Sequence, residues 1–118
     1  MDIAPLHRWP NSPRAAVALQ KRLATDICQT PLSRKVQWIG GADAAFSPDG
    51  RYVIAAALVW HLPTRSLLES HVVVAPLKFP YVPGLLSFRE APALLRAFAK
   101  LEKIPDVVLC DGQGLAHP

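Results

Sequence analysis

Three carboxylates stand where acid side chains are costly to keep. Asp43 lies within Gly40-Gly41-Ala42-Asp43-Ala44-Ala45-Phe46, Glu90 closes Leu86-Ser87-Phe88-Arg89-Glu90, and Asp111 ends the apolar run Val107-Val108-Leu109-Cys110. A carboxylate among such neighbours loses hydration unless a cation or hydrogen-bond donors compensate. If the three converge, their mutual repulsion makes sense mainly around a divalent cation. Mg²⁺ is a hard ion suited to oxygen ligands, and it can activate water and neutralise charge on a leaving oxygen. Tyr81 stands between Pro80 and Pro83 in Phe79-Pro80-Tyr81-Val82-Pro83-Gly84. Prolines narrow the shapes open to that loop before any ligand arrives. A stiff, exposed ring can push into a base stack and support an everted nucleotide. Acids and wedge together point to metal-dependent phosphodiester chemistry on nucleic acid.

Each of these residues has a plainer reading beside the chemical one. Asp43 could be a solvent-facing strand residue. Ser87-Phe88-Arg89-Glu90 fits a capping box, in which Ser bonds the N3 amide and Glu reaches back. Asp111-Gly112 is a common turn dipeptide, yet the carboxyl end of a buried strand is where open α/β sheets place ligands. Gly112 and Gly114 would let a backbone approach a ligand closely. Tyr81 could be a core aromatic or part of a Pro-x-x-Pro ligand. Gly84 and Leu86 fall near the same pocket. His117 could contact phosphate or metal, or be an ordinary surface residue. His7, His61 and His71 show no partner along the sequence and read as structural. The expected convergence, more than any one residue, favours the chemical reading.

The elements that would bring them together follow from the pattern. Residues 1–13 form an irregular lead-in, and Ser12-Pro13 supplies an N-cap and a first-position proline. Ala16, Leu19, Leu23 and Ile27 then share one helical face, with the helix ending near Cys28 to Thr30 before Pro31. Val36 to Phe46 reads as a strand, Ser47-Pro48-Asp49-Gly50 as a tight turn, and Tyr52 to His61 as a strand apolar enough to be covered on both faces. Periodicity alone leaves a buried helix open for Tyr52 to His61. Leu67 to Ala75, rich in valine, is the third strand. Ser87 opens a second helix with Ala91, Leu94, Leu95, Phe98 and Leu101 inward, and Asp106 to Cys110 is the fourth strand. An antiparallel meander followed by a right-handed crossover sets the fourth strand parallel to the first. This is the front half of a ribonuclease H-like α/β fold, with a mixed sheet that places Asp43 beside Asp111 and Glu90 above them.

With 118 residues, 51% hydrophobic and 19% charged, the chain reads as one globular domain. Its net charge of +4 permits a polyanionic partner without requiring one. The two cysteines make no disulfide framework, and Cys110 reads as a buried thiol. There is no signal peptide and no membrane-spanning run, so a cytoplasmic protein is the expectation. A fourth strand in this order would lie inside a sheet, so residues 1–118 are expected to be a truncated, incomplete domain, its N-terminal half.

The chain resembles the endonuclease V (deoxyinosine 3′-endonuclease) family. The resemblance runs from Gly40-Gly41-Ala42-Asp43 through Pro80-Tyr81-Val82-Pro83-Gly84-Leu85-Leu86-Ser87-Phe88-Arg89-Glu90 to Asp111-Gly112-Gln113-Gly114-Leu115-Ala116-His117-Pro118. It implies Mg²⁺ or Mn²⁺ dependence and cleavage of the second phosphodiester bond 3′ to a deaminated base such as hypoxanthine, in DNA and, for some members, RNA. It implies Asp43, Glu90 and Asp111 as metal-binding acids and Tyr81 as the strand-opening wedge. Gly84, Leu86 and Gly112 would line the base pocket, with His117 near the cleavage site and the intact protein a monomer. Gln113 stands where some members have His. The family's chains are considerably longer than this one.

Overall fold

A computed structural model describes residues 1–112. Helix α1 (Pro13–Ala24) starts as expected: the Ser12 hydroxyl accepts from the Ala15 N–H at 3.2 Å, and Pro13 occupies the first turn. It ends sooner than expected. The Thr25 hydroxyl donates to the Arg22 carbonyl at 2.7 Å, and the N–H groups of Thr25 and Asp26 turn back onto Arg22 and Leu23. These tightened bonds close the helix, so Ile27 falls outside it and is exposed.

Strands β1 (Trp38–Phe46), β2 (Tyr52–His61) and β3 (Ser66–Pro76) form the antiparallel meander. Helix α2 (Ser87–Ala99) crosses over to β4 (Val107–Cys110), which pairs parallel to β1. The sheet order is β3-β2-β1-β4, the mixed topology expected from the sequence. At the β1–β2 turn, Gly50 takes φ 71°, and the Asp49 carboxylate accepts from the Ser47 hydroxyl at 2.6 Å and the Arg51 N–H at 3.0 Å.

The expectation that β2 is covered on both faces is corrected. Val53, Ala55, Ala57 and Val59 are buried, whereas Tyr52, Ile54, Leu58 and Trp60 on the alternate face are exposed. Helix α2 covers only the first face, where Ala93, Ala97, Phe98 and Leu101 pack. Alanines on both partners let helix and sheet approach closely. The buried side of α2 is also rotated from the expected one, leaving Leu95 exposed.

Two carboxylates staple the far end of the sheet. Strand β1 begins at Trp38, not Val36, because Asp106 accepts from the N–H groups of Gln37 and Trp38, each at 2.9 Å. Its own N–H donates to the Trp38 carbonyl at 2.8 Å, so the entry to β4 is fixed on β1. Glu69 on β3 accepts from the N–H groups of Lys103 (2.8 Å) and Glu102 (3.0 Å), tying down the α2–β4 connection. Gly40 is required here, since a Cβ would lie 2.9 Å from the Pro105 ring.

Candidate metal and nucleic-acid site

The β1–β4 ladder ends with Ala42 opposite Cys110, so Asp43 and Asp111 follow at the same end of two adjacent parallel strands. Both are exposed. One oxygen of each carboxylate accepts from the next residue's N–H, Ala44 at 2.8 Å and Gly112 at 2.9 Å. Glu90 lies in the first turn of α2 and is partly buried. Burial, then the negative charges of Asp43 and Asp111, hold the Glu90 carboxyl above its usual range, and Arg89 opposes them. Glu90 therefore lies within electrostatic reach of both aspartates.

Among the described residues, no three His, Cys, Asp or Glu side chains approach closely enough to form a ready ligand set. In kind and charge the donors nevertheless fit a hard divalent ion: all three are carboxylates, and the repulsion at Glu90 is only partly opposed, by Arg89.

The capping-box alternative for Glu90 is not formed. The N-cap is Leu86, with φ −57° and ψ −38°, and no side chain caps the helix. The box needs an extended N-cap backbone, and here the Phe88 and Arg89 N–H groups already bond the Leu85 and Leu86 carbonyls. Glu90 thus carries no capping duty.

The proline loop is pinned at both ends. Val82-Pro83-Gly84-Leu85 is a type II turn: Leu85 N–H donates to the Val82 carbonyl at 3.0 Å, and Gly84 takes φ 85°. Nothing lies within 4 Å of a Cβ at Gly84, so its conformation and not crowding calls for glycine. From α1, the Gln20 amide donates to the Gly84 carbonyl at 3.3 Å. Phe79, Leu85 and Phe88 form a second small core with Ala16. Between these anchors Tyr81 is 67% exposed, which rules out a core aromatic. Leu86 and Gly112 are also exposed, whereas His117 lies outside the described residues.

Sequence reasoning missed Arg89. Its guanidinium carbon sits 4.7 Å from the Phe46 ring centre and 5.6 Å from that of Tyr81, linking the end of β1 to the wedge. Its Nε is buried with no hydrogen-bond partner among the described residues. The histidines, which show no partner along the sequence and read as structural, make local contacts in the fold. His71 pairs with Glu69 at 2.8 Å, His61 meets Thr64 at 2.6 Å and stacks on Trp38, and His7 lies edge-on to Trp9. Cys110 is exposed, not buried, because β4 is the edge strand of the described sheet. Among the described residues, no helix is long and apolar enough to cross a membrane.

A family model described as Endonuclease V matches residues 21–118. Endonuclease V of a Nostoc species is 41% identical over 119 residues, taking in 100% of this chain and 54% of that protein. The crystal structure of the Bacillus subtilis protein superposes with a TM-score of 0.88 at 30% identity, covering 99% of this chain and 52% of that one. Ciona intestinalis Endonuclease V, in complex with a 24mer DNA containing an inosine followed by a ribo-adenosine, gives a TM-score of 0.79 at 23% identity, over 88% of this chain and 47% of that one. At that identity the Ciona likeness speaks to the fold. The chain spans about half the length of the relatives it matches.

Proposed function

Because the chain belongs to the endonuclease V family, we infer that it carries the acids and wedge of a repair endonuclease directed at deaminated bases. The cut falls at the second phosphodiester bond 3′ to hypoxanthine in DNA, with RNA carrying the same base as a further substrate. The observation that carries this reading is the placing of Asp43 and Asp111 at one end of two adjacent parallel strands, with a Glu90 carboxyl raised first by burial and then by their charges, next along α2 to an Arg89 that contacts the exposed Tyr81 ring.

Tyr81 fills the gap left by an extruded base, and its proline frame spares it from ordering when the strand binds. Gly84, Leu86 and Gly112 line the pocket that receives that base, and His117 serves the phosphate side. Asp43, Glu90 and Asp111 would hold Mg²⁺, with Mn²⁺ able to replace it. Bound there, the ion supplies water activation and neutralises charge on the leaving oxygen. A second reading, binding without cutting, is favoured by the lack of a ready three-ligand set among the described residues.

The test is incubation of the chain with matched end-labelled strands carrying inosine or adenine at one position, with Mg²⁺ or with chelator. The expected result is a single Mg²⁺-dependent cut in the inosine strand alone. Equal cutting of both strands overturns the base-reading role, and selective binding without cutting leaves the second reading. Tyr81→Ala is expected to weaken binding to the inosine strand by about 1–3 kcal/mol, the scale of base–aromatic stacking. Binding to the plain strand rests mostly on phosphate contacts and changes little, and Tyr81→Phe keeps most of the preference. Equal losses on both strands would reduce Tyr81 to a structural aromatic.

A further inference from the structure

A cavity of about 710 Å³ opens between the N-terminal lead-in and α2, at the β3 side of the wedge loop. The start of the chain, which leads into one wall, is anchored. The Met1 ammonium donates to the carbonyl of Ala99 at 3.1 Å and to that of Leu101, and Ile3 packs on the main core. Trp9 lines the opening, 43% exposed, with the His7 ring edge-on at 4.8 Å holding its indole.

The lining includes Lys78, Arg89 and Arg96 and no Asp or Glu. Lys78 and Arg96 are exposed and have no acidic partner among the described residues. Arg89 joins this cavity to Tyr81, and its buried Nε finds no acceptor among the described residues. A purely apolar ligand leaves these cations unanswered, and a small anion leaves the aromatic wall unused. A nucleic-acid strand supplies both phosphates for the cations and base faces for the ring.

We propose that this groove seats the strand flanking the everted base, with Lys78 and Arg96 on phosphates and Trp9 stacked on a base. The inference rests on the nucleic-acid reading above, and the two fail differently.

The experiment is fluorescence-anisotropy titration of the 118-residue chain with single-stranded deoxyoligonucleotides carrying inosine or adenine at one position, over a series of salt concentrations. For Lys78→Ala/Arg96→Ala, the slope of log affinity against log salt is expected to shrink by about 0.7 for each phosphate contact removed. Trp9→Ala is expected to weaken binding about tenfold, within the range for base–aromatic stacking, and Trp9→Phe to restore most of it. An unchanged salt slope in the double variant, its melting temperature intact, overturns the groove even if the inosine preference persists. A reduced slope without any inosine preference supports the groove and defeats the deaminated-base reading alone.

Discussion

Glu69 and Glu90 show how one residue type meets two ends of the same sheet. Glu69, toward the start of β1, accepts from the N–H groups of Lys103 and Glu102 and from His71, and its carboxyl lies below the usual range for those reasons. Asp106, at the same end of the sheet, is lowered likewise, first by the Gln37 and Trp38 N–H groups. Glu90, at the exit end of β1, receives no hydrogen bond among the described residues and is raised by burial and by Asp43 and Asp111. One end uses acids as staples across the fold, and at the other Asp43 and Asp111 bond only the next residue's N–H while the Glu90 carboxyl is left without a donor among the described residues. A fold keeps unsatisfied charge where a ligand will answer it, at some expense to stability.

Replacing acids at each end separates the two roles. The largest effect is expected from Asp43→Asn or Asp111→Asn, each lowering inosine-directed cutting by more than about a hundredfold, since outer-sphere partners of a metal alone are worth about 10–100-fold. Their melting temperatures are expected to hold. Measured cutting near the unmodified level would put these acids with the staples. Glu69→Ala comes next: it removes the acceptor for Lys103, Glu102 and His71 and is expected to cost about 1 kcal/mol after allowance for solvent screening, with strand preference unchanged. A thermal melt that does not move would show that this staple contributes nothing.

The smallest effect is a gain. Glu90→Gln removes a charge that the fold disfavours, so at neutral pH its melting temperature is expected to rise slightly, by less than about 0.5 kcal/mol of stability. The pH dependence separates the two ends by sign. A lowered carboxyl binds fewer protons folded than unfolded, so Glu69 contributes stability above its usual value of 4.5 that is lost as pH falls through the lowered one. A raised carboxyl binds more protons folded, so Glu90 removes stability as pH rises from 4.5 through its raised value. Glu69→Gln is expected to melt below the unmodified chain above pH 4.5, a deficit that fades as pH falls under that value. Glu90→Gln is expected to melt above it, a gain that appears only as pH rises from 4.5 through the raised value. Differences of the same sign would erase the contrast between the two ends.

The meander, the crossover and the placing of Asp43 against Asp111 were legible in the sequence because apolar runs, turn chemistry and connection handedness all agreed. What escaped depended on local bonding choices that periodicity does not carry, or on contacts between distant residues. The end of α1 turned on Thr25 bonding back to Arg22, a local choice that periodicity does not report. The one-sided burial of β2 was hidden because its outer face is apolar too, and composition cannot distinguish a covered valine from an open one. The staples Glu69 and Asp106 left a trace, each an acid at or within an apolar run, but their partners lie across the fold. The capping box read plausibly and failed because the backbone is already helical at Leu86.

The short β1–β4 ladder has a kinetic consequence. The meander pairs neighbours along the chain, whereas Val107–Cys110 can join β1 only after a long crossover has closed. Asp43 is therefore in place early in folding, and Asp111 arrives with the last and least local pairing. That ladder is also the briefest and lies at an edge of the described sheet, so within that sheet it opens at the lowest free energy. Amide exchange is expected to be fastest, within the sheet, along Val107–Cys110. Within the sheet, the closeness of Asp43 and Asp111 is thus the last feature to form and the first to be lost.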